Sequence, residues 1–137
     1  MHDPFNLDRF VEAQRLTYDQ ALAELQAGYK SGHWMWFILP QVAGLGLSAM
    51  SQHFAIRSRS EAEAYLAHAV LGPRLAACTE ATLAHTDALA IFGSIDAMKF
   101  QSSMTLFDAV APASPFAAAL DHFYAGAGDQ KTLDLLA

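Results

Sequence analysis

The sequence predicts an all-α protein, a compact orthogonal array of about eight short helices. Three observations lead there. Apolar residues make up 53% of the 137 residues and charged ones 16%, a balance that suits one packed domain and excludes a disordered chain. Stretches such as "EAEAYLAHAV" and "RLAACTEATL" are rich in alanine and other helix formers. Capping residues, prolines and glycines recur at short intervals, which favours many short helices over a long up-down bundle.

Each element has its own signal. Asp3-Pro4 fits an N-cap followed by proline, and Phe5, Leu7, Phe10 and Val11 give the helix behind it an apolar side. Thr17 and Gln20 have capping-box spacing ahead of a helix that carries Tyr18, Leu22, Leu25 and Tyr29 and that Gly28 ends. "HWMWFILPQ", residues 33–41, is compatible with a short buried strand or an irregular helical turn, and Pro40 ends it either way. "VAGLGLSAMSQHFAI" opens as a glycine loop, after which Ser48 caps a short helix carrying Met50 and Phe54.

Ser60 and Glu63 form the clearest capping box and open the next helix. A bend at Gly72-Pro73 leads into another. Asp87 caps "ALAIFG", which Gly93 closes; Ser94 or Asp96 then starts "AMKFQSSMTLFDAVA", which Pro112 stops. Ser114-Pro115 repeats the cap-plus-proline signal, and Asp129 caps a last turn, "QKTLDLL". No repeat or linker divides the chain, so one domain spans residues 1–137.

Charge and cysteine usage narrow the function classes. The formal net charge is -6 and basic residues are sparse, so extended nucleic-acid binding is not expected, while a local anion pocket remains open. Cys78 is the only cysteine; no intrachain disulfide can form, and its apolar helical setting suits a small core residue. No secretory signal and no apolar run near the roughly 20 residues of a membrane span are present, so a cytoplasmic location without membrane insertion is expected. The six histidines form no metal signature, and no metal, flavin or nicotinamide cofactor is indicated.

Two blocks carry candidate chemistry. In "KSGHWMWFILPQ", His33 is either a ligand-facing donor or a turn-fixing ring, and Trp34 and Trp36 would share one face of an extended segment. Such indoles stack a base or sugar, or simply fill a small core. In "DAMKFQSSMTLF", Lys99, Ser102 and Ser103 stand at i, i+3 and i+4 of a helix, with Asp96 three residues ahead. A lysine of lowered pKa serves as base to a serine, although Lys-x-x-Ser reverses the familiar order. The structural alternative is an Asp96–Lys99 ion pair beside serines that let helices approach.

These blocks, with "DPFNLDRFVEAQ" and "GLGLSAMSQHFAIRSRSEAEAYLAHAVLGPRL", resemble the DUF1810 family over nearly the whole chain. The resemblance implies a compact, mostly helical fold without an assigned function. It adds Ser48 and Arg74 to the ligand-facing set of His33, Trp34, Trp36, Gln41 and Ser103, beside a catalytic set of Asp96, Lys99 and Ser102. Phe54 departs from the family's usual tyrosine, and residues 68–72 depart from its "HP-LG". Some relatives are labelled calpastatin; a calpain inhibitor of that type is polar and disordered, unlike this chain. The "S-x-x-E-A-x-x-Y-L" block is faintly similar to NADAR domains, which act on nucleotide-related N-glycosides.

The resulting expectation is a polar and aromatic pocket for a nucleotide-like or phosphorylated small molecule, such as a sugar phosphate, extending to N-glycoside hydrolysis. The alternative is a non-catalytic protein-interaction module. The two readings part on whether residues 33–41 meet residues 96–105 across one cavity.

Overall fold

A computed structural model describes residues 2–112 and 114–136. Among these, nine helices succeed one another, and β-pairing is confined to an isolated parallel bridge between Val42 and Ile56. The first helix, α1 (Asp8–Gln14), begins later than Asp3-Pro4 suggests. Asp3 still caps: its two oxygens accept from Leu7 N at 2.8 Å and Asp8 N at 3.0 Å across an intervening turn. Helix α2 (Tyr18–Ala27) ends on Gly28 at φ 84°, as its C′ glycine predicts, but Thr17 makes no side-chain cap bond. Instead the imidazole of His85 closes the far end of α2, donating from Nε2 to the carbonyls of Leu25 and Gln26.

The ambiguous aromatic segment folds as one helical turn, α3 (Met35–Ile38). Ser48 caps α4 (Ala49–His53) by accepting from Ser51 N. The cap of α5 (Arg59–Ala67) is Ser58 rather than Ser60, because Ser58 accepts from Glu61 N. "SRSEAE" holds two overlapping Ser-x-x-Glu frames, and burial of Glu61 selects the first. The bend before α6 (Leu71–Thr82) falls at residues 68–70, where His68 Nδ1 accepts from Val70 N and Leu71 N. Gly72 lies inside the first turn of α6; a Cβ there would stand 2.1 Å from the backbone oxygen of Leu66.

The long helix α7 (Ala88–Val110) is two helices joined at Gly93, whose φ 78° and ψ 170° belong to a region open essentially to glycine alone. It packs against α5, α8 (Pro115–Tyr124) and α9 (Gln130–Leu136), while α6 packs against α2, α5 and α8. One buried cluster runs from Leu7 to Leu120, with Phe10, Trp34, Tyr65, Phe100 and Phe107 among its largest members. Cys78 belongs to it, and burial pushes its thiol up to about 12.

Charge is also buried where it fixes loops. Arg9 satisfies all five guanidinium donors: Nε to His53 O, Nη1 to Phe5 O and Asn6 O, Nη2 to Ala55 O and to Glu61 Oε2 at 2.7 Å. The other oxygen of Glu61 accepts from Arg57 N at 3.0 Å. This pair therefore ties α1 and α5 to the loop that carries Phe54 and Ala55. Among the described residues no helix is long and apolar enough to cross a membrane.

Candidate functional site

The KSGHW loop is shaped by a residue outside it. Glu24 on α2 accepts from Ser31 N at 2.8 Å, Gly32 N at 2.9 Å and Trp34 Nε1 at 3.0 Å on one oxygen, and from Gln20 on the other. Burial works against this charge, yet the four donors hold the carboxyl at about 2. Gly32 is required: a Cβ would meet Trp34 Cδ1 at 2.7 Å. Trp34 is consequently a core side chain, 1% exposed. Because α3 is helical, Trp36 points elsewhere, since residues two apart on a helix lie about 200° around the axis.

Trp36 lines a cavity of about 450 Å³, inside the usual range for small-ligand sites. Gln41 and Val42 follow from the segment after Pro40, and Leu45 and Gly46 from the glycine loop. Ser51, Phe54 and Ala55 form a second side, held by the Arg9–Glu61 pair behind them. Ile95, Met98, Lys99 and Ser102 come from α7, and Asp129 and Lys131 from the start of α9. The two sequence blocks thus meet across one cavity, through Trp36 and Gln41 on one side and Lys99 and Ser102 on the other.

Electrostatics inside this frame turn on Asp96. Its Oδ2 pairs with Lys30 Nζ at 2.8 Å, and Lys30 also donates to Gly32 O at 2.7 Å and lies over the Trp34 ring. Lys99 Nζ is left 3.9 Å from Asp96 Oδ1, too far for a hydrogen bond, and sits 5.3 Å from the centroid of Trp36. The Lys99 side chain is 30% exposed against 8% for Lys30, so its charge remains open to solvent or a ligand. On α9, Asp129 Oδ2 accepts from Thr132 N at 3.0 Å and Thr132 Oγ1 at 2.5 Å, and lies 3.3 Å from Ser102 Oγ. Thr105 fixes the approach to Asp129 by accepting its N–H at 2.9 Å.

A model for a family described as "Protein of unknown function (DUF1810)" matches residues 4–136. The chain belongs to the DUF1810 family. Among solved structures, this DUF1810 protein is similar to the conserved hypothetical protein Rv1873 from Mycobacterium tuberculosis, whose crystal structure was determined at 1.38 Å. The two share 46% identity over 98% of each chain, with a TM-score of 0.95. A comparison with curated proteins gives no match.

Several residues named from the sequence of this DUF1810 protein lie outside the cavity lining. His33 is exposed on the loop, without a ring hydrogen bond among the described residues. Ser48 bonds Ser51 as a helix cap. Arg74 lies over the Tyr18 ring, 4.6 Å from its centroid, and donates to Gln14 Oε1. Ser103 is turned into the core, and its Oγ has no partner among the described residues. Asp96 stands behind Lys99 rather than in the lining.

Among the described residues Lys99 and Ser102 make no hydrogen bond with one another. The hydrogen-bond partners of Ser102 Oγ are Met98 O and Asp129 Oδ2, not Lys99. Asp129 and Lys131 are the charged lining residues that sequence reasoning missed as site groups; Asp129 carried only the signal of a helix cap. Among the described residues no group of three His, Cys, Asp or Glu side chains stands close enough to hold a metal ion.

Proposed function

We propose that this protein binds a small phosphorylated molecule, nucleotide-like or a sugar phosphate, in the cavity between α3, α7 and α9. The supporting observation is the commitment of Asp96 to Lys30, which leaves the Lys99 ammonium without a hydrogen-bonded partner among the described residues, beside a cavity that Lys131 also lines. Two ammonium groups at one half-enclosed site attract a phosphate more strongly than either alone in water. Trp36, Val42, Phe54 and Met98 supply apolar wall for the rest of the ligand. Cleavage of an N-glycoside draws less support. It needs a carboxylate to activate water, and Asp96, the carboxylate in the expected catalytic set, is paired with Lys30 and stands outside the cavity lining.

A protein-interaction reading rests on Ile95 and Met98, which are about 70% exposed at the rim. Calorimetric titration with AMP, ADP-ribose and ribose phosphate separates the two. Saturable heat with at least one of them, abolished by Lys99→Ala with an unchanged far-UV spectrum, supports the pocket. Absence of heat with all three would remove it and leave the exposed rim as the feature to explain.

A further inference from the structure

The charges of the cavity do not suit a bare anion. A carboxylate, Asp129, stands with Lys99 and Lys131, and it repels any phosphate they hold. Its Oδ2 is occupied by Thr132 and Ser102, whereas Oδ1 has no hydrogen-bond partner among the described residues. The side-chain amide of Gln41, on the opposite wall, is likewise without a partner among them. Both groups are half-buried in the cavity wall, where water or a ligand completes them. Lys99 and Ser102 are three residues apart on α7, about 4.5 Å along its axis, and Asp129 touches Ser102. Lys99 and Asp129 line the same cavity of about 450 Å³, so one small molecule can reach both. The Lys99 ammonium also covers one face of Trp36, which closes that face to a stacked base.

We infer that Asp129, assisted by Gln41, is the specificity determinant of this cavity: it accepts a ligand hydroxyl, so that a hydroxyl-bearing sugar phosphate binds in preference to a phosphate ester without hydroxyls. The inference rests on the phosphate-binding reading above. The hydroxyl offsets the repulsion that Asp129 imposes on the phosphate, and a ligand without one meets the repulsion alone.

Ribose phosphate and phenyl phosphate are titrated calorimetrically into the full chain and into Lys99→Ala, Asp129→Asn and Asp129→Ser. Asparagine and serine keep an oxygen to cap α9 but remove the free carboxylate oxygen. The wild type is expected to prefer ribose phosphate by about tenfold or more, the worth of one charged hydrogen bond. Both Asp129 variants should lose that preference, with ribose phosphate weakened and phenyl phosphate unchanged or tighter; Lys99→Ala should weaken both ligands. Equal wild-type affinity for the two ligands, or a preference that survives in both Asp129 variants, overturns the role of Asp129 while phosphate binding stands. Binding of neither ligand to the wild type overturns the role of Asp129, and absence of heat with AMP and ADP-ribose as well overturns the phosphate-binding reading.

Discussion

The ammonium of Lys30 lies 2.8 Å from Oδ2 of Asp96, inside a side chain only 8% exposed. This contact joins the KSGHW loop to α7 and decides how Lys99 is partnered. Replacing Lys30 with methionine should free Asp96 to pair with Lys99. The variant is expected to lose about 1–3 kcal/mol of stability, as when a partly buried charge loses its partner. It should also bind phosphate esters more weakly, although Lys30 does not line the cavity. Urea unfolding and calorimetry check both; a folded Lys30→Met protein with wild-type affinity would show that Asp96 does not set the charge available at Lys99.

The Glu24 carboxyl, held at about 2 against an ordinary 4.5, makes the loop acid-sensitive. A lowered folded-state pKa adds stability that is present in full above the unfolded value and is lost as pH falls. The melting temperature should therefore drop between about pH 4.5 and pH 2 in part through this residue. Glu24→Gln should start lower at neutral pH and lose less across that window. Parallel acid profiles for the two proteins exclude Glu24 as the cause.

Gly93 offers a test of sign. In a continuous helix, replacing glycine with alanine stabilises by about 1 kcal/mol. At φ 78° and ψ 170° the same change should destabilise by about 1–3 kcal/mol, even though a Cβ there meets nothing within 4 Å. A Gly93→Ala protein that melts at or above the wild-type temperature would contradict the kink.

The two tryptophans should report differently. Trp34 is 1% exposed and bonded to Glu24, whereas Trp36 lines the cavity. A ligand-induced change in fluorescence should survive Trp34→Phe, where that variant folds, and vanish in Trp36→Phe. The reverse pattern would place the ligand elsewhere.

Much of the fold was legible because its signals are local. Gly28, Ser48, Asp87 and Asp129 end or cap helices as their residue types predict. The errors arose where local signals tied. Ser58 and Ser60 both stand three residues before a glutamate, and only the buried ion pair between Glu61 and Arg9, 52 residues away, breaks the tie. The segment of the two indoles allowed a strand, which would put them on one face, or a helical turn, and the turn that forms points them apart. Of the candidate site, Trp36, Gln41, Lys99 and Ser102 were named and do converge. Asp129 lies 27 residues beyond Ser102 and reaches it only because α8 turns the chain back along α7, a tertiary fact with no local trace.

The buried state of Cys78 has a practical consequence. With its thiol pushed up to about 12 and no second cysteine in the chain, the native protein should be almost inert to maleimides at neutral pH. A cysteine introduced at the exposed Lys131 would then be the single reactive handle, so a fluorophore or spin probe can be placed at the cavity mouth without first engineering a cysteine-free background.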